Sequence, residues 1–197
     1  MNTRALAVDT PDWVIAQMPP GYRNRVAEIR RLSEELQDMD RFARLLWAIG
    51  PDLREAVRDV FTALKFDVEQ MNGAAESVVA VGLGPSRRLL FHVSQTEETI
   101  DKKSAEIAHV FRLLHEFAGE HDRVVLITNG DRLNQPSDRS APISGDALKL
   151  LQRMGANCVA APTLFKLWGL SVQDPDTART YVGRLHEQDG GTFVLPS

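Results

Sequence analysis

The sequence predicts an α/β fold in which a mixed β-sheet carries helices on both faces. The run VVLIT at 124–128 is fully apolar, as is typical of a strand buried in a covered sheet, and NCVAA at 157–161 predicts a second such strand. Segments of helical periodicity separate these runs, as crossovers between parallel strands require. Three earlier strand candidates follow one another without a helix and predict an antiparallel meander.

Composition bounds the classes of function. A chain of 197 residues can bury one sizeable core plus an appendage. The formal charge of −4 gives no long-range attraction to nucleic acid or to an anionic membrane. No apolar run approaches the roughly 20 residues that span a bilayer, and no secretory signal is recognisable. We therefore expect a cytoplasmic protein without a membrane partner.

The single cysteine, Cys158, lies in an apolar run and is predicted to be a core residue. One cysteine excludes a disulfide framework within the chain and a cysteine-based zinc cluster.

Residues 1–20 contain three prolines and show no sustained period, so they are predicted to form an extended or disordered arm. Trp13 belongs to a short apolar group in this arm. It docks either on a partner or on the protein's own surface.

Residues 21–49 are predicted to form an amphipathic helix with coiled-coil character. Their apolar residues alternate spacings of three and four, as the core positions of a heptad do: Ile29, Leu32, Leu36, Met39, Ala43 and Leu46. This row either packs on its own domain or pairs with a second copy of the chain. Ile29, Leu32, Leu36 and Met39, with Trp13, are the predicted interface residues.

Residues 50–190 are predicted to form the α/β domain, followed by a tail at 191–197. Gly50-Pro51 starts a helix with a buried face at Leu53, Val57, Val60, Phe61 and Leu64. Strands at 66–69, 76–81 and 89–93 follow, with a hairpin turn at 82–86. The next helix, 102–118, is predicted to bury Ile107, Val110, Phe111, Leu114 and Phe117. After the strand at 124–128 come a helix at 145–154, the strand at 157–161, a helix opened by Pro162 and a helix at 174–187.

Three segments carry a resemblance to a known family: LLWAIGPDLREAVRDVFTALKFDVE at 45–69, RRLLFHVSQ at 87–95, and the run from VVLITNGDRLNQPSDRSAPIS to FKLW at 124–168. They resemble the restriction-endonuclease-like PD-(D/E)XK nuclease superfamily, and in particular bacterial members with a helical lead-in. The resemblance implies a restriction-endonuclease-like αβββαβ core, which is also the order of elements predicted above. The chemistry that it implies for the family is metal-assisted phosphodiester hydrolysis.

The resemblance also implies which positions carried that chemistry, and here the residue types have changed. Arg54 stands where the first helix would supply an acid, Ser77 or Val78 where the second strand would, and His92 and Ser94 at the acid-x-lysine of the third strand. Hard divalent cations need oxygen ligands, which Arg54 and His92 do not supply. We therefore expect a pseudoenzyme with no catalytic residues and no metal or other cofactor. It would act through protein-protein binding, as a structural, regulatory or assembly component, and as a homodimer.

Three alternatives remain open. The chain could be a nuclease with a rearranged site, in which Glu76 and His92, with Glu97 or Glu98, hold Mg²⁺, Mn²⁺ or a softer ion. It could be a DNA-binding module without catalysis, which its acidic balance disfavours. Finally, the family resemblance could be false and His92 a satisfied core histidine. The other histidines, His109, His115, His121 and His186, match no known ligand motif and are expected at the surface or in an interface.

The loop at 128–144 is polar and follows a buried strand, where α/β folds tend to keep binding sites. Asn129, Pro136 and Arg139 are similar in the resembling family. We expect Asn129 and Arg139 to tie the loop to the core. The alternative is a residual phosphate or nucleotide contact by Arg139.

Overall fold

The computed structural model describes residues 12–71 and 78–196. Its helices are α1 (Asp12–Ala16), α2 (Tyr22–Trp47), α3 (Gly50–Ala63), α4 (Ala105–Glu116), α5 (Gly145–Arg153), α6 (Ala161–Gln173) and α7 (Pro175–Glu187). Its strands are β1 (Asp67–Gln70), β2 (Val78–Gly82), β3 (Arg88–Val93), β4 (Arg123–Thr128), β5 (Asn157–Ala160) and β6 (Gly191–Thr192).

The six strands form one mixed sheet in the order β1-β2-β3-β4-β5-β6. β1, β2 and β3 pair antiparallel, whereas β3, β4, β5 and β6 pair parallel. The predicted meander and crossovers are thereby confirmed. Because the parallel strands run in the same direction, their carboxyl ends meet at one edge of the sheet.

Side chains alternate between two apolar cores, one on each face of the sheet. Val79, Phe91 and Val125 pack with α3, α6 and α7. Their neighbours Val78, Leu90 and Leu126 join the core beneath α4 and α5. The prediction of helices on both faces is therefore confirmed, and the whole predicted face of α3 is buried.

The structure differs from the predictions in three local features. Phe111 is 53% exposed because it lies about 100° around α4 from Val110, whereas Leu113, on the same side as Val110, is buried instead. The predicted tail contains β6, which pairs with Asn157 and Cys158 at the sheet edge. In the predicted extended arm, Asp12–Ala16 form a short helix, while residues 1–11 lie outside the described part.

The chain divides into two compact units after Arg41, ahead of the boundary predicted at residues 49 and 50. The reason lies in the last turns of α2, where Phe42 and Leu45 are buried in the core of the second unit. The ring of Phe42 stacks on that of Trp168 at 4.5 Å between centroids. No helix among the described residues is long and apolar enough to cross a membrane.

Candidate functional site

The two residues at the expected acid-x-lysine position, His92 and Ser94, lie at the carboxyl end of β3 and are both 1% exposed. Phe91 and Val93 point toward α3, so the alternation of the strand turns His92 and Ser94 to the opposite face, beneath α4. The local sequence LLFHVS therefore buries two polar side chains against a helix, where they need polar partners.

Glu106, in the first turn of α4, is that partner. One carboxylate oxygen, Oε1, accepts hydrogen bonds from Ser94 Oγ at 3.1 Å and from the backbone N–H of Gln95 at 2.9 Å. The other, Oε2, accepts a hydrogen bond from His92 Nε2. A buried acid thus links the end of β3 to the start of α4.

His109 completes this group, one turn further along α4. Its ring lies edge-on to that of His92, with 5.1 Å between the ring centroids. One ligand atom from each of His92, Glu106 and His109 lies within 4.8 Å of the other two. We call these three residues, with Ser94 as the hydrogen-bond donor behind Glu106, the β3–α4 cluster.

The surroundings of Glu106 and His109 shift the pKa values of both groups. Burial alone would raise the pKa of Glu106, but hydrogen bonds from His92, the Gln95 N–H and Ser94 hold that pKa below its ordinary value. Burial lowers the pKa of His109, and this effect, with smaller ones from His92 and Arg112, outweighs the opposing effect of the Glu106 carboxylate. At neutral pH, Glu106 is therefore ionised and His109 is a neutral imidazole.

Glu106 and His109 were not among the predicted site residues, although the structure brings His109 together with His92 and Glu106. The signal was the sequence Glu106-Ile-Ala-His109, since residues three apart share one face of a helix. His186, which was expected at the surface or in an interface, is instead 8% exposed and bonds Arg87 and the carbonyl of His121.

The residues expected to form one degenerate catalytic site do not all come together. Arg54 is on α3, which packs on the face of the sheet opposite to His92 and Ser94, and it lines a shallow depression beside Val79. Glu97 instead bonds Arg132, with 2.6 Å from Oε1 to Nη2. Ser77 and Glu76 lie outside the described residues. The spacing of residues in the sequence does not specify which face of the sheet each helix covers. The sequence therefore gave no sign that Arg54 and His92 lie on opposite faces.

Asn129 and Arg139 tie the 128–144 loop to the end of α2 and to the residue that follows it. Arg139 Nη1 donates to Asn129 Oδ1 at 2.8 Å, and its Nη2 donates to the carbonyl of Leu46. Its Nε donates to the carbonyl of Asn134 at 2.9 Å, within the loop. Asn129 Nδ2 donates to the carbonyl of Ala48 at 2.8 Å. These bonds support the structural role expected for both residues.

A cavity of about 500 Å³ lies between this loop and the start of α6. Its lining includes Thr128, Ser140, Thr163 and Lys166 as well as Asn129 and Arg139. Most donors of Arg139 are already bound to carbonyls, which leaves few of them for a ligand. The phosphate or nucleotide contact by Arg139 stays a prediction.

The predicted interface residues on α2 lie at the surface. Ile29, Leu32, Leu36 and Met39 are 46, 44, 62 and 54% exposed. We call these four residues the apolar row of α2. Trp13, on α1, is 68% exposed. Farther along the heptad, Ala43 and Leu46 are partly buried.

No protein-family model, curated protein or solved structure matches this chain. The order of elements, the β3–α4 cluster and the apolar row of α2 are therefore the basis for a functional proposal.

Proposed function

We propose that this protein is a non-catalytic, nuclease-like assembly component that forms a homodimer through the apolar row of α2. The order α3-β1-β2-β3-α4-β4 is that of the αβββαβ core, and it supports the restriction-endonuclease-like assignment. In this proposal, the α/β unit supplies a rigid body and α2 supplies the contact with a second copy.

The observation that carries the proposal is the exposure of the apolar row. Four large apolar side chains, each about half exposed, follow one face of α2 at heptad spacing. Fully burying such a side chain contributes roughly 1.5–3 kcal/mol relative to leaving it exposed. The row therefore gives a strong driving force for covering this face.

A second copy of α2 is the partner that fits best. The same spacing on both helices lets each apolar side chain pack between those of the other. Polar residues flank the row, and Arg31 bonds Glu28 and Glu35 within its own helix. At about 1.5 Å per residue, the 26 residues of α2 extend about 39 Å.

The β3–α4 cluster supports the absence of nuclease chemistry. Mg²⁺ binds through several oxygen ligands, whereas Glu106 is the single carboxylate of this cluster. His92 Nε2 and Ser94 Oγ both bond Glu106. Arg54 lies on the other face, where its positive charge would repel a cation.

The dimer is tested by light scattering coupled to size-exclusion chromatography. We expect the wild-type chain to have twice the mass of one chain, and Leu36→Glu to shift it to monomer at the same concentration. Gln37→Glu adds the same charge one position along, off the apolar row, and should remain dimeric. Far-UV circular dichroism checks that α2 stays helical in both variants.

Two results would contradict the proposal. A monomeric wild-type chain at micromolar concentration, or equal effects of the two substitutions, would remove the apolar row as an interface. Cleavage of plasmid or single-stranded DNA with Mg²⁺ or Mn²⁺ by the purified protein would contradict the non-catalytic assignment.

A further inference from the structure

We propose that His92, Glu106 and His109 form a binding site for a transition-metal ion of the zinc class, which joins β3 to α4. This site goes beyond the proposed function, because dimerisation through α2 neither requires it nor implies it. Its basis is the convergence of two imidazoles and one carboxylate, with ligand atoms within 4.8 Å of one another.

The donor set selects the kind of ion. Two imidazole nitrogens and one carboxylate oxygen are typical ligands of Zn²⁺ and similar borderline ions. Mg²⁺ and Ca²⁺ prefer sites built from oxygen alone. With three protein ligands, a tetrahedral ion keeps its fourth position for water, and the partly exposed His109 marks the side open to solvent.

The geometry of the ligands is set by the backbone. Glu106 and His109 are three residues apart, so they project from one face of α4. His92 faces them from β3, whose position is fixed by pairing with strands on both sides. The three donors therefore come from two rigid elements.

Hydrogen bonds behind the ligands prepare Glu106 for metal binding. Ser94 Oγ and the N–H of Gln95 occupy Oε1, which orients the carboxylate and leaves Oε2 toward His92. Such outer partners hold metal ligands in place in known sites. A metal ion bound here would replace the bond from His92 to Oε2.

The test uses the full-length protein, freed of metal with a chelator and titrated with ZnCl₂ by calorimetry near pH 7. We expect wild-type protein to bind one Zn²⁺ per chain. His109→Ala should weaken this binding by more than about 10-fold, the loss that even an outer partner of a ligand can cause. His115→Ala removes another histidine of α4, outside the cluster, and should bind as the wild type does.

A spectroscopic variant identifies the ligand directly. His109→Cys places a thiolate in the cluster, so Co²⁺ should produce a thiolate-to-cobalt absorption band in the near ultraviolet. His115→Cys should not, and the native Cys158 is buried. The proposal is overturned if His109→Ala and His115→Ala bind Zn²⁺ alike, or if His109→Cys folds but gives no such band. Far-UV circular dichroism establishes the folding of each variant.

Discussion

At the scale of single residues, the bond between Arg88 and Asp122 ties the start of β3 to the loop before β4. Arg88 Nη2 lies 2.6 Å from Asp122 Oδ2, and the N–H of Gly119 donates to the same oxygen at 2.8 Å. The Asp122 side chain is 3% exposed, so the loss of its charge would leave these donors poorly satisfied. This contact is therefore a stronger candidate for a stability contribution than an ion pair at the surface.

The first prediction concerns Asp122→Asn. We expect it to lower the free energy of unfolding by about 1–3 kcal/mol at pH 7, because a charged hydrogen-bond partner is lost in a buried setting. Asp176→Asn is the control, since Asp176 pairs with Arg179 but its side chain is 93% exposed. Asp176→Asn should lower the free energy of unfolding by less than about 1 kcal/mol. Urea denaturation followed by circular dichroism measures both.

The difference in free energy of unfolding between the wild type and Asp122→Asn depends on pH through the pKa of Asp122. Burial alone would raise that pKa, but Arg88 and the Gly119 N–H hold it below its ordinary value. The folded carboxyl therefore binds a proton less readily than the unfolded one, whose pKa is about 3.9. Its stabilising contribution is complete above that value and is lost as the pH falls through the folded pKa. A gap between wild type and Asp122→Asn that stays constant below pH 3 would contradict this account.

Cys158 and His92 show which features of single residues could be predicted from the sequence and which could not. Cys158 was predicted to be a core residue, and burial raises the pKa of its thiol to about 11. Its apolar neighbours in the sequence were sufficient for that prediction. The bond between His92 and Glu106 was not predictable in this way. Their separation in sequence does not specify which face of β3 meets α4.

At the scale of elements, β6 depends on a glycine. Gly190, just before β6, has φ +76, and a Cβ added there would lie 2.8 Å from Gln152 Cα and 3.0 Å from its carbonyl oxygen. Both contacts are with the backbone at the end of α5, which cannot move aside cheaply. The close approach of β6 to α5 therefore requires glycine at this position.

We accordingly expect Gly190→Ala to destabilise the protein by about 1–3 kcal/mol, through backbone strain and overpacking. Gly169→Ala is the matched control in the interior of α6, where an added Cβ meets no atom within 4 Å. There, alanine should stabilise the helix by about 0.5–1 kcal/mol. Chemical denaturation measures both variants, and a Gly190→Ala protein as stable as wild type would contradict the packing account.

Helices and strands with a regular apolar pattern were predicted well. The residues at which such patterns stop determining burial were not. The apolar face of α3 and the buried run of β4 follow from spacing alone. β6 has only two residues, too few for any pattern, and its pairing depends on the neighbouring β5. In α2, the heptad continues to Ala43 and Leu46, yet Phe42 and Leu45 are the buried residues. The α/β core overrides the heptad there.

At the scale of the whole molecule, the α/β unit from Phe42 onward contains an apolar core on each face of its sheet. Phe42 and Leu45 belong to one of these cores although they lie on α2. The backbone carbonyls of Leu46 and Ala48 also accept bonds from Arg139 and Asn129. The last turns of α2 are thus part of the α/β unit, while the apolar row precedes that unit.

This division predicts the behaviour of two shortened chains. A chain of residues 40–197 should fold and unfold cooperatively, since it keeps both cores, and it should be monomeric because it lacks the apolar row through which we propose that the chain dimerises. A chain of residues 50–197 loses Phe42 and Leu45, each worth about 1.5–3 kcal/mol when fully buried, and the two carbonyl partners. It should be several kcal/mol less stable. Calorimetric unfolding with light scattering compares them. If the 40–197 chain does not unfold cooperatively, the α/β unit is not independent. If it is dimeric, the interface does not require the apolar row.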